Sequence, residues 1–191
     1  NYMFKKNNLG DFISVFYEKV QINSNLIGDY NFTNIAAAIS LGLYFDINVS
    51  SIKNAIESYI PKNNRSEVLF NNDKKIILDA YNANPTSMNL AIDSFLKLEG
   101  SKALILGDMF ELGQYSNKEH EEIINRLEKE NNKTFLVGNE FYKLKKESNK
   151  VLFFKDKEGL IKEIFDKKII EKNILIKGSR GMKMEDIVNH I

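Results

Sequence analysis

Apolar positions recur along the chain with two different periods, and the change from one to the other divides it. From Tyr2 to Lys6, Asp11 to Tyr17 and Lys19 to Ile22, apolar and polar residues alternate, which predicts two or three short antiparallel strands. Leu26-Ile27-Gly28-Asp29-Tyr30-Asn31-Phe32-Thr33-Asn34 then turns into a small-residue helix over Ile35 to Leu41, whose alanines let another backbone come close. A second helix is predicted over Val49 to Tyr59, capped by Ser50 or Ser51, with Ile52, Ala55, Ile56 and Tyr59 on one face. Pro61-Lys62-Asn63-Asn64-Arg65 reads as a linker, because Pro61 disfavours helix at Ile60.

Beyond Arg65 strands and helices alternate. A strand or hairpin arm covers Glu67 to Phe70, with Asn71-Asn72-Asp73 as its turn. Strands follow at Lys75–Leu78, Ala103–Leu106, Thr134–Val137, Val151–Phe154 and Ile174–Ile176. Between and after them, helices are predicted near Thr86–Leu98, Lys118–Glu130, Asn139–Lys146, Lys157–Lys167 and Lys183–Ile191. Ser116-Asn117-Lys118-Glu119 has the form of a capping box for the second of these helices. This βα period predicts an α/β fold, a mainly parallel sheet with helices on both faces.

The composition narrows the function classes. With 43% hydrophobic residues the chain can bury a core, and a formal net charge of +1 gives no reason to expect nucleic acid or an anionic membrane. The chain has no cysteine, so disulfides, thiolate metal sites and cysteine nucleophiles are excluded. No apolar run approaches the ~18–20 residues of a membrane span and no signal peptide opens the chain, so a soluble, cytoplasmic protein is expected. The first residue is Asn1, inside a strand-like pattern, which leads us to expect part of a longer protein.

Candidate chemistry lies where strands run into helices, the ligand-binding rim of open α/β sheets. Four polar turns fall there: Asp79-Ala80-Tyr81-Asn82-Ala83-Asn84-Pro85, Gly107-Asp108-Met109-Phe110-Glu111-Leu112-Gly113, Gly138-Asn139-Glu140 and Gly178-Ser179-Arg180-Gly181. The last either cradles a carboxylate or phosphate with backbone N–H groups beside Arg180, or is a plain glycine-rich turn. Asp79 either accepts from ribose hydroxyls or a metal, or is a turn acid; Asn82 and Asn84 either meet a ligand or tie the turn by Asx bonds. Asp108 and Glu111, three apart, either face one ligand amine or leave Glu111 as a surface charge. His120, among Glu119, Glu121 and Glu122, reads as a surface residue, and no histidine or carboxylate cluster has metal spacing. Neither G-x-x-x-x-G-K-[ST] nor G-x-G-x-x-G occurs, so a free-standing NTPase or NAD enzyme is not expected.

Taken together these motifs resemble the Mur ligases. Gly28-Asp29-Tyr30-Asn31-Phe32-Thr33-Asn34 is similar to that family's Gly-x-His-Asn-x-x-Asn segment, and Asn63-Asn64-Arg65-Ser66, the Asp79–Pro85 turn, the Gly107–Gly113 turn and Lys177-Gly178-Ser179-Arg180-Gly181-Met182 fit its C-terminal part. The resemblance covers nearly the whole chain. It implies the branch that joins D-alanyl-D-alanine to UDP-N-acetylmuramoyl-tripeptide in peptidoglycan synthesis. There ATP makes an acyl phosphate that the incoming amine attacks. It further implies that residues 1–61 end a central ATP-binding domain and that 62–191 form a Rossmann-like C-terminal domain. The phosphate loop, the Mg2+ ligands and the catalytic residues would lie upstream, so the fragment itself would be inactive, and the protein would be a monomer. Carried over by motif, Asn31, Asn34, Arg65, Asp79 and Tyr81 would bind ATP. Asn82, Asn84, Asp108, Glu111, Ser179 and Arg180 would bind the dipeptide. Tyr30 stands where the family has histidine, which puts a polar nucleotide contact there in question. Two alternatives stay open: a non-catalytic Rossmann-type nucleotide- or ligand-binding module, and a related ligase for another amino acid.

Overall fold

The structure, a computed structural model, describes residues 2–191. Strands β1 (Phe4–Leu9), β2 (Phe12–Tyr17) and β3 (Val20–Ile27) form an antiparallel three-stranded sheet. β3 runs past the expected end at Ile22: Ile22 and Ser24 are buried under this sheet, and Ile27 is buried in the core of the larger one. Ser24 tolerates that position by donating its Oγ–H to the Ile13 carbonyl at 2.7 Å. Helix α1 (Asn31–Tyr44) packs on β2 and α2 (Val49–Ser58) on β3, around Ile13, Val15, Ile22, Ile35, Ile39 and Ile52. The cap of α2 is Asn48, not Ser50 or Ser51: its side chain accepts the Ser51 N–H at 2.8 Å. Of the face expected on α2, Ile52 is buried and Ile56 partly so, while Ala55 and Tyr59 are exposed. The close approach expected of α1 is carried by Gly42 inside the helix, where an added Cβ would lie 2.8 Å from the Ile52 side chain.

The second part is a six-stranded sheet in the order β4-β5-β9-β6-β7-β8. These are β4 (Glu67–Asn71), β5 (Lys74–Asp79), β6 (Lys102–Gly107), β7 (Lys133–Val137), β8 (Val151–Phe154) and β9 (Asn173–Lys177). β4 is an antiparallel arm on β5; the other pairings are parallel. Helices α3 (Pro85–Leu96), α4 (Ser116–Leu127), α5 (Asn139–Lys143) and α6 (Lys157–Lys167) connect the strands. Successive strand residues point to opposite faces. Leu104 and Leu106 therefore join Met88, Ile92, Phe95 and Leu127 on one face, while Ala103 and Ile105 join Phe135, Leu160 and Ile164 on the other. Burial on both faces is why these strands read as continuous apolar runs.

Three expectations about helices differ from what is observed. The last segment is a 3-10 helix over Met184–His190, entered through a left-handed Lys183 (φ 50°), and only Met184 and Ile187 of it are fully buried. α5 ends at Lys143. α4 begins at Ser116 itself, without a side-chain cap, so Ser116-Asn117-Lys118-Glu119 is no capping box. The capping box sits instead at Asn84 and Ser87, where the Asn84 side chain accepts the Ser87 N–H at 2.8 Å and Ser87 Oγ accepts the Asn84 N–H at 3.1 Å.

β6 and β9 leave the sheet through Gly107 and Gly178, whose backbones nearly touch: a Cβ on Gly178 would lie 2.8 Å from Met184 Cγ and 3.2 Å from Gly107 Cα. Gly178→Val should therefore destabilise the chain by about 1–3 kcal/mol, read as a lower urea midpoint at unchanged m value.

Candidate functional site

Parallel pairing puts the carboxyl ends of β5, β9, β6, β7 and β8 on one rim, and two cavities open along it. The first, about 430 Å³, lies where the two parts of the molecule meet. Leu26, Tyr30, Asn31 and Asn34 line it from one side, and Arg65, Ser66, Asp79, Tyr81, Asn82, Asn84, Ser87 and Lys177 from the other, with Tyr59 between.

Several polar groups in this cleft are held by specific neighbours. Asn31 is buried; its Nδ2 donates to the Ile27 carbonyl at 2.7 Å and its Oδ1 accepts from Asn34 Nδ2 at 3.0 Å. Asn31 thus orients the exposed Asn34 amide at the start of α1. The Arg65 guanidinium lies over the Tyr81 ring, 3.7 Å from its centroid, and has no ion-pair partner among the described residues. That stack offers a fixed cation beside an exposed aromatic edge, a surface suited to a base or a phosphate. Asp79 Oδ1 accepts the Ser66 N–H at 3.1 Å, and Oδ2 accepts from Lys177 Nζ at 2.6 Å. Asn82 Oδ1 accepts the Ala83 N–H at 2.9 Å, and Asn84 caps α3, so both amides tie the turn.

Contacts also run across the junction. Tyr30 Oη and Ser66 Oγ are 2.9 Å apart. Burial, and secondarily the Asp79 charge, push the Tyr30 phenol up to about 12. Gly28 (φ 94°) lets this ring fold back, since a Cβ there would sit 2.5 Å from Tyr30 Cε1. Asp29 sits between Lys6 Nζ and Lys97 Nζ, each at 2.8 Å, and their hydrogen bonds hold its carboxyl below the usual carboxylate range.

The second cavity, about 500 Å³, is lined by the turn after β6, the start of α5 and the residues that open α6, with Met109, Phe110, Leu112 and Met182 as its apolar wall. Asp108 is buried, and its oxygens accept the Glu140 and Phe141 N–H groups at 2.9 and 3.0 Å, so it caps α5 from a different strand. Burial raises its pKa against the lowering effect of those bonds. Glu111, exposed and in left-handed conformation (φ 64°), stands at the mouth without a partner among the described residues, as does Lys155. Ser179 is buried, its Oγ accepting the Phe110 N–H at 2.8 Å. Arg180 is exposed and pairs with Glu185 at 2.9 Å. Neither lines either cavity.

Two residues that the sequence underrated shape these sites. His120 is fully buried, not on the surface: its Nε2 accepts the Met109 N–H at 3.0 Å and its Nδ1 donates to the Ser116 carbonyl at 2.7 Å, which fixes the neutral Nδ1–H tautomer. It pins the 108–116 turn to α4 from below. Of the acidic neighbours that suggested a surface position, Glu121 and Glu122 are exposed and Glu119 is half-buried, and only the placement of His120 with Ile123, Ile124 and Leu127 would have signalled burial. Lys177 is buried at the end of β9 and lines the cleft. A lysine closing an apolar strand was the available signal.

Residues 64–180 match the Mur ligase glutamate ligase domain family. The UDP-N-acetylmuramoyl-tripeptide–D-alanyl-D-alanine ligase of Bacillus subtilis is 32% identical over 87% of this chain and 38% of its own length. The enzyme of the same name from Buchnera aphidicola (subspecies Baizongia pistaciae) is 31% identical over 91% of this chain and 38% of its own. The chain thus spans about two-fifths of the relatives it matches. Among solved structures, a D-alanyl-D-alanyl ligase from Acinetobacter baumannii superposes with TM-score 0.85 at 23% identity, over 99% of this chain and 43% of that one. A Thermotoga maritima MurF ligase in complex with ADP gives 0.80 at 21% identity, over 99% and 45%.

Since Tyr30 is held above the ordinary tyrosine value, an absorbance titration at 295 nm should show a phenol ionising near pH 12 that is missing in Tyr30→Phe. Its folded value is raised, so the stability it contributes is complete below the ordinary value near 10 and is lost as pH rises through about 12. Loss of a phenol ionising near the ordinary value of about 10 in Tyr30→Phe would show that the phenol is not enclosed.

Proposed function

This chain belongs to the Mur ligase family, and on that footing we propose that the full-length protein is an ATP-dependent ligase that joins D-alanyl-D-alanine to UDP-N-acetylmuramoyl-tripeptide. The chain supplies two pieces of it. Residues 1–61 close a central ATP-binding domain, and 62–191 form the C-terminal domain that brings the amine substrate. The protein works as a cytoplasmic monomer.

One observation carries this reading. All five residues assigned to ATP (Asn31, Asn34, Arg65, Asp79 and Tyr81) line the single cleft at the junction, joined there by Asn82 and Asn84. A nucleotide in the cleft touches both parts at once, so its binding draws them together and excludes water, which an acyl phosphate requires. The base lies against Asn34, whose amide Asn31 holds. The Arg65–Tyr81 stack faces the ribose and phosphates, and Asp79 sets the turn beneath them. The dipeptide lies further along the rim, in the cavity where the free Glu111 carboxylate meets its amine. Asp108 and Ser179 serve this substrate by holding the turn, and Arg180 from outside the cavity. ATP supplies the phosphoryl group when bound. Mg2+ would be held by one or two carboxylates together with the ATP phosphates, on residues of the ATP-binding domain outside this chain.

The alternatives, a non-catalytic nucleotide-binding module or a ligase for another amino acid, part from this reading in two measurements. The 191-residue chain alone should hydrolyse no ATP and form no amide; detectable turnover from it overturns the division of labour. In the full-length enzyme, Asp79→Ala should weaken ATP by about tenfold or more and D-alanyl-D-alanine less. Equal nucleotide affinity by calorimetry would remove Asp79 from the ATP site.

A further inference from the structure

Lys177 is buried, with only 1% of its surface exposed, and yet it is a lysine. Removing an ammonium from water is costly, and apolar side chains of similar volume pack such positions at less expense. Its charge is therefore in use. Asp79 ends β5 and Lys177 ends β9, and the two are register partners on adjacent parallel strands. From there Nζ donates to Asp79 Oδ2 at 2.6 Å and to the Asn82 carbonyl at 3.1 Å. The other Asp79 oxygen takes the Ser66 N–H, and Ser66 Oγ meets the Tyr30 hydroxyl across the junction. One buried cation thus anchors both walls of the cleft. It also neutralises a carboxylate that would otherwise stand unpaired where phosphates approach.

We propose that Lys177 is the positioning residue of the junction cleft: it holds the Asp79–Asn84 turn in its binding shape and cancels the Asp79 charge, so that a polyanionic nucleotide is accepted. The inference rests on the nucleotide reading above and adds to it a residue that acts through Asp79, without touching the ligand.

The test is calorimetry of the full-length protein with adenylyl imidodiphosphate at low and high salt, accompanied by amide hydrogen exchange without ligand. Lys177→Met should bind about tenfold or more weakly at low salt, with the loss shrinking as salt screens the bare carboxylate. Lys177→Met combined with Asp79→Asn, a neutral pair, should recover most of that affinity. A double variant as weak as the single, or a salt-independent loss, overturns the proposal in favour of direct contact or simple loss of packing. Should the unmutated full-length protein fail to bind, the nucleotide reading fails by itself and exchange decides this one. In Lys177→Met the Ser66 and Tyr81 amides should then exchange faster while the Leu104 and Ile105 amides stay protected; unchanged exchange at Ser66 and Tyr81 overturns the positioning role.

Discussion

The site depends on where the last strand goes. β9 enters the sheet between β5 and β6, so residues 98 apart in sequence, Asp79 and Lys177, become side-by-side neighbours. A parallel strand in that slot aligns its carboxyl end with those of β5 and β6. It also forces two backbones together where they leave the sheet, which is why Gly107 and Gly178 face each other without side chains. Without β9, Asp79 would be a strand-end acid beside a gap, and the turn after it would have no anchor.

From that constraint the two cavities follow. The cleft at β5 and β9 is closed on its far side by Tyr30, Asn31 and Asn34 from the first part of the chain. The cavity at β6 and β7 is built on Asp108 and His120, two buried polar side chains that spend their hydrogen bonds on loop and helix backbone. Buried polar groups are tolerated where every partner is met. Here that requirement holds the turns in place, with Glu111, Lys155, Arg65 and Tyr81 among the groups left exposed. Neighbouring strands lie roughly 5 Å apart, so the ends of β5 and β7 are separated by about 15 Å.

Much of the architecture was legible because it rests on local pattern. α6 occupies the predicted Lys157–Lys167, and every predicted strand of the large sheet is present within a residue or two, since strands buried on both faces leave unbroken apolar runs. The errors fall where polar residues act on the backbone. Ser24 hid the length of β3 by filling an inward position with a bonded hydroxyl. Ser116 resembled a cap but faces Glu140 and His120 instead, and Asn84 makes the cap. The same pattern of residues supports either role until partners distant in sequence are in place.

The sequence by itself determined the α/β class, the polar turns at the strand ends and the residues able to do chemistry there, because hydrophobic period and turn chemistry act within a few residues. Only the tertiary structure decided which of those residues face a cavity and which are spent. Asp108 and Ser179 hold backbone; Glu111 is left free. Asp79 is compensated by a lysine that the sequence places almost a hundred residues away. The reason is physical: a charge or amide has a few bonding positions, and what fills them depends on which strands are adjacent, a fact of topology that no local pattern contains.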